Sequence, residues 1–183
     1  MAEGMKNMSN EKVEIEVVVR EAESTDAAAL ITFLDKVGGE SHFLTMDEAG
    51  ILLTETEMAD YLTQISEKDN NCYFLALIND EIAGVLSVTA DFHIRVRHIG
   101  EIFVAVSRDF QGLGIASLLF EDMLDWVNEV GVIKRLELTC QRRNLAAVHL
   151  YEKEGFDIEA VRKYGARDEN GQLIDTLQMV RFF

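Results

Sequence analysis

Residues Gly100 to Val130, GEIFVAVSRDFQGLGIASLLFEDMLDWVNEV, set the terms on which the rest of the chain can fold. Ile102-Phe103-Val104-Ala105-Val106 is a short apolar run of the kind that forms a strand buried on both faces. Gln111 to Ala116 is punctuated by Gly112 and Gly114 and opens a helix. That helix carries Ile115, Leu119, Met123, Trp126, Val127 and Val130 at helical spacing. A strand that feeds a glycine-rich turn into a helix N-terminus makes an anion site, because unpaired backbone N–H groups and the helix dipole converge there. Such a unit needs further strands to bury its apolar run and a second layer to cover the helix.

The flanking sequence supplies both. Val13 to Arg20 reads as a first strand and Ala27 to Val37 as a helix, N-capped from Ser24-Thr25-Asp26 and stopped by Gly38-Gly39. The loop Glu40 to Thr45 mixes polar and aromatic residues. Thr54-Glu55-Thr56-Glu57 is a capping-box pattern that starts a second helix reaching about Glu67. The period then changes to strand runs over Cys72–Ile78, Ile82–Thr89 and Val96–Val106, the first two joined by a tight Asn79-Asp80 turn. After the central helix come a strand at Arg135–Cys140, parallel to 102–106, a helix from Asn144 to Glu154-Gly155, and strands at Phe156–Val161 and Ile174–Phe182. The expected fold is α+β: one domain over residues 12–183, a mixed and mostly antiparallel sheet with helices on both faces. Residues 1–11, polar and aperiodic, are expected to be a disordered tail.

Composition enters where it excludes a class. Of 183 residues 33 are acidic and 17 basic, a formal charge of −16, which argues against a nucleic-acid partner. The same balance suits a cationic amine substrate, and it also serves solubility alone. No apolar run approaches the length of a membrane span and the first residues carry no leader pattern, so the expectation is a cytoplasmic protein that does not engage a membrane. Cys72 and Cys140 lie in apolar strand runs as reduced thiols, and His42, His93, His98 and His149 form no ligand spacing, so no metal is expected.

Three phosphate-binding patterns compete for the turn. A nucleotide P-loop requires Lys-Ser/Thr after its last glycine, whereas Gly114 is followed by Ile115-Ala116. A dinucleotide fingerprint is weakened by Ser117 at the third glycine position, and too few βα units follow. The third is Gln111-x-x-Gly114-x-Ala116 after a Val-x-Val strand, which resembles the acyl-CoA signature of the GNAT family of N-acetyltransferases. The block from Asn144 through Tyr151 to Gly155-Phe156 resembles that family's second cofactor-side motif, and the order of elements matches from about residue 13 to 183. Within the family the chain is most similar to bacterial small-amine and ribosomal-protein acetyltransferases.

The resemblance implies that the amides of Gly112, Leu113, Gly114, Ile115, Ala116 and Ser117 hold the CoA pyrophosphate, with Gln111 at the start of the turn. It implies a pantetheine arm along Val104, Ala105 and Val106, pairing like an added strand between splayed neighbours. Gln111 stands where the family often has a basic residue, and Arg108, Lys134, Arg135, Arg142 and Arg143 are candidates to supply the charge. Asn144 caps its helix and, in the family, reaches the cofactor. Tyr151 is either a half-buried structural tyrosine or the general acid that protonates the departing CoA sulfur. Glu101 is the candidate base, or else a solvated carboxylate at a strand end, and Glu40 is a second option. Ser41, His42, Phe43 and Tyr61 are expected to shape the acceptor pocket.

These residues lead to an acetyl-CoA-dependent N-acetyltransferase that acts on a primary amine, of a small molecule or a protein, by direct attack in a ternary complex. Cysteine is not expected to act as acyl carrier, since Cys140 lies in a core-like run and no histidine is paired to it in sequence. The alternative is a CoA-binding sensor or scaffold without turnover. Exposed strand ends leave a homodimer open.

Overall fold

The computed structural model describes residues 16–44 and 51–183. Seven strands form one sheet in the order β1-β2-β3-β4-β5-β7-β6: β1 Val18–Glu21, β2 Cys72–Ile78, β3 Glu81–Ala90, β4 Ile99–Val106, β5 Arg135–Gln141, β6 Asp157–Arg167 and β7 Leu173–Phe182. Every neighbouring pair is antiparallel except β4 and β5. The helices are α1 Ala27–Glu40, α2 Glu55–Ser66, α3 Ile115–Val130 and α4 Leu145–Lys153. The expected tail at 1–11 and residues 13–15 of the expected first strand lie outside the described residues; within the described part the strand runs from Val18 to Glu21 rather than ending at Arg20.

Two apolar cores sandwich the sheet. On one face Leu30, Phe33, Met58 and Leu62 of α1 and α2 bury against Leu75, Val85 and Ala105. On the other, Leu119, Phe120 and Met123 of α3 and Tyr151 of α4 bury against Leu86, Ile102, Leu136 and Leu138. Each fully buried large side chain contributes about 1.5–3 kcal/mol of transfer free energy, which is what holds helices of this length in place. The α2 start is a reciprocal capping box: Thr54 N–H donates to Glu57 Oε2 at 2.8 Å, and Glu57 N–H donates to Thr54 Oγ1 at 3.3 Å. At the β2–β3 hairpin Asn79 and Asp80 both take positive φ, 50° and 64°, as a type I′ turn requires.

Other expected boundaries move as well. Gly38-Gly39 does not stop α1, which continues to Glu40 with Gly38 buried; tertiary packing outweighs the modest cost of glycine in a last helical turn. The strand expected from Val96 starts at Ile99, because Val96 and Arg97 N–H both donate to His93 C=O, at 2.9 Å each, and fold the preceding residues into turns. Past Val161, β6 continues to Arg167, following β7 through two bulges.

What positions the site is the β4–β5 pair. Its partners are Ile99 with Arg135, Gly100 with Leu136 and Glu101 with Glu137, and there pairing ends. Gly100 makes the close approach possible: a Cβ there would sit 2.6 Å from Val88 Cγ1 and 3.0 Å from Leu136 Cδ2. Beyond Glu101 the two strands diverge, while β4 stays paired with β3 without a bulge as far as Val106.

Candidate active site

A cleft of about 570 Å³ opens where β4 and β5 part, walled by both strands, the α3 N-terminus, α4 and the loop after α1. Of the residues singled out in sequence, Val104, Ala105, Val106, Gln111, Gly112, Gly114, Ile115, Ala116, Ser117, Asn144 and Tyr151 line it. Leu113, in the same turn, points outward and is exposed. Glu101 is not in the lining. It lies at the closed, paired end of β4, exposed, and alternation puts it on the same face as Phe103 and Ala105, which are in the lining.

Three features of the cleft are unsatisfied by the protein itself. The first is the turn. Gly112 and Gly114 adopt φ of 79° and 82°, with nothing within 4 Å of where a Cβ would be. Conformation, and the open space they leave, is therefore why glycine is needed here. The first hydrogen bond of α3 runs from Leu118 N–H to Gly114 C=O at 3.2 Å, so among the described residues the amides from Gly112 to Ser117 have no backbone acceptor. They face the positive end of a 16-residue helix.

The second is the strand edge. Ser107 N–H donates to Ala83 C=O at 3.0 Å, on the β3 side. Alternation then turns the N–H and C=O groups of Val104 and Val106 to the open side. Gln111 Nε2 confirms this by donating to Val106 C=O at 3.2 Å. Beside the splay, Val104 keeps a free donor and acceptor.

Tyr151 is the third. Its ring sits edge-on to Phe120 and Phe156, with centroids 6.1 and 6.3 Å away, and is 9% exposed. Its hydroxyl has no hydrogen-bond partner among the described residues, and burial pushes the phenol above its ordinary range. Asn144 caps α4, its Oδ1 accepting Ala147 N–H at 3.2 Å. Cys140 lines the cleft too, but burial raises its thiol, the opposite of what an acyl-carrying nucleophile needs.

The candidate cations are mostly occupied. Arg108 donates to the Glu40 C=O, and its own N–H donates to Glu40 Oε2 at 2.8 Å. Arg135 forks onto Glu159 at the closed end of the sheet. Arg143 forks onto Glu169, and Arg142 stands 3.9 Å from Asp175. Sequence reasoning passed over one cation that reaches the turn: Lys153 Nζ donates to Ser117 Oγ at 2.8 Å, and Ser117 Oγ donates to Glu154 Oε1 at 3.0 Å. Its place within the Tyr151–Phe156 block was the available signal.

Free amides, an unpaired strand edge and a buried, unpartnered phenol thus lie within one cleft. A model of the acetyltransferase (GNAT) family matches residues 43–156. The chain belongs to the GNAT acetyltransferase family. A solved GNAT-family acetyltransferase from Streptococcus pneumoniae is 43% identical, with a TM-score of 0.90 over 92% of this chain and all of that one. The L-amino acid N-acetyltransferase AaaT of Escherichia coli K12 is 25% identical over 167 residues, 91% of this chain and 98% of that protein. Spermidine N(1)-acetyltransferase of the same organism is 25% identical over 103 residues, 56% of this chain and 54% of that protein. This GNAT protein is an acetyl-CoA-dependent N-acetyltransferase. Among the described residues no helix is long and apolar enough to cross a membrane.

Proposed function

We propose that this acetyltransferase acetylates the α-amine of an apolar amino acid. The observation that carries the reading is the charge of the cleft. Among the described residues its wall holds one carboxylate, Glu40, and that group already accepts the Arg108 N–H. Among those residues a polyamine would meet no row of acidic side chains, despite the overall charge of −16. Val37, Phe43, Leu44 and Phe103 instead offer an apolar wall, as the side chain of such an acceptor requires. The end-to-end similarity to an L-amino acid acetyltransferase, against half-length similarity to a spermidine enzyme, supports the same choice.

The residues divide the work as follows. The Gly112–Ser117 amides take the pyrophosphate of the donor, and the open edge of Val104 and Val106 takes its pantetheine amides. Acetyl-CoA supplies an activated acetyl thioester. Val104 N–H is the donor available to polarise a carbonyl oxygen, in the manner of an oxyanion hole. Tyr151, kept protonated by burial, is the proton source for a leaving thiolate, whose conjugate acid has a pKa of about 8.5. Glu101, on the acceptor-side face, takes the amine proton through water. Attack is direct, with no acyl-enzyme. We also place the enzyme in the cytoplasm, where its donor is found, and infer a homodimer through the outer edge of β6. That edge has Asp157 and Glu159 in its first half and Arg162, Lys163 and Arg167 in its second. Antiparallel pairing of two copies sets these opposite one another.

The test is release of free thiol from acetyl-CoA with a panel of amines. Apolar L-amino acids should be the best acceptors by kcat/KM. Preference for spermidine, or no turnover with any amino acid, would overturn the reading.

A further inference from the structure

Three segments meet at the acceptor-side rim of the cleft. Gln141, at the end of β5, is 5% exposed; its Nε2 donates to His42 C=O at 2.9 Å and its Oε1 accepts from Arg143 Nε at 2.8 Å. The Arg143 guanidinium lies over the ring of Phe43, 5.5 Å from its centroid, and Phe43 lines the cleft. With Nε bound and one face stacked, the guanidinium is fixed in plane and direction. Its remaining edge, Nη1 and Nη2, holds both carboxylate oxygens of Glu169, from the turn between β6 and β7. The rim therefore presents a pre-oriented fork already loaded with a carboxylate, beside an apolar wall.

We propose that Arg143, held by Gln141 and Phe43, is the specificity residue that receives the α-carboxylate of the acceptor, and that Glu169 is the placeholder this carboxylate displaces. The inference rests on the amino-acid reading given above. Its physical basis is exchange of like for like. Glu169 sits in an exposed turn with its side chain 35% accessible, so leaving costs little beyond the pair itself. The strength of the fork for carboxylates is visible on Glu169, whose carboxyl it holds down to about 2. A free amino acid brings a carboxylate at a fixed distance from its amine, whereas an amide or a simple amine does not. Arg143 would then select against both without touching the reacting atoms.

The experiment compares L-phenylalanine, L-phenylalaninamide and 2-phenylethylamine as acceptors at saturating acetyl-CoA, reading KM and kcat by thiol release. Wild type should favour the free acid over the amide. Arg143→Gln should raise KM for phenylalanine at least 10-fold, leave kcat and the KM for acetyl-CoA within about 2-fold, and leave both acceptors that lack a carboxylate unchanged. Glu169→Gln, which keeps Arg143 in place, should lower KM for phenylalanine by removing the competitor. Equal losses for acid and amide in Arg143→Gln would show a strap that only shapes the rim and would overturn the proposal. So would an unchanged or raised KM in Glu169→Gln. A wild type that acetylates no amino acid fails the parent reading instead, and does so before any variant is made.

Discussion

Gly114 and Gly131 stand at opposite ends of α3 in nearly the same backbone state, with φ of 82° and 65°, and a Cβ on either would meet nothing within 4 Å. They make a matched pair. Alanine at either position must adopt a left-handed conformation, which costs about 1–2 kcal/mol. For a chain of this size that amounts to a fall in Tm of roughly 2–8 °C. The two variants should therefore melt alike. Only Gly114 belongs to the amide cradle, where the added methyl occupies space needed for backbone to approach a phosphate. Loss of one charge-assisted amide contact is worth about 1.5–3 kcal/mol, or roughly 10- to 150-fold in affinity. Gly114→Ala should raise the KM for acetyl-CoA by that factor and abolish most of the thermal stabilisation by CoA; Gly131→Ala should leave both as in wild type. The assays are thermal melts with and without CoA and initial rates of thiol release against acetyl-CoA. If Gly131→Ala weakens CoA as much as Gly114→Ala, or if neither does, the turn is not the phosphate cradle.

Other expectations follow from the same geometry. Tyr151→Phe keeps the packing against Phe120 and Phe156 but removes the hydroxyl, so kcat should fall about 100-fold with the KM for acetyl-CoA unchanged; an unaltered kcat across pH would remove Tyr151 from the chemistry. Glu101→Gln should lower kcat/KM for the acceptor about 100-fold with the KM for acetyl-CoA unchanged, and an unchanged kcat/KM would place the base elsewhere. Gly100→Ala forces a Cβ to within 2.6 Å of Val88 Cγ1 and should destabilise by about 1–3 kcal/mol in denaturant melts, where a neutral effect would mean the β4–β5 contact is looser than described. Light scattering should give a dimer that Val161→Lys, in the middle of the β6 edge, converts to monomer; a wild-type monomer would exclude that interface.

The elements with a strong local cause were legible from residues alone. The Asn79-Asp80 turn, the Thr54–Glu57 capping box and the Asn144 cap each depend on contacts within four residues, so their chemistry is written in consecutive letters. The Gly112–Gly114 turn was legible for the same reason. Boundaries failed where distant packing decided: Gly38-Gly39 reads as a stop but is carried through by the α1 core, and β6 outruns its own pattern because β7 pairs with it.

For the site, sequence determined which residue types gather at the α3 N-terminus and that a strand leads into it. Only the tertiary structure decided what faces the cleft. An unbroken β3–β4 register puts Glu101 on the face of Phe103 and Ala105 yet outside the lining, an outcome that one bulge would have changed. The occupied state of Arg108, Arg135 and Arg143 also came only from the fold, since their partners lie up to 68 residues away in the chain. Charge counts the whole surface, −16 here, while recognition depends on the few groups that three-dimensional packing brings to one rim. At the rim where we propose the acceptor binds, packing brings together a stacked, forked arginine and an apolar wall.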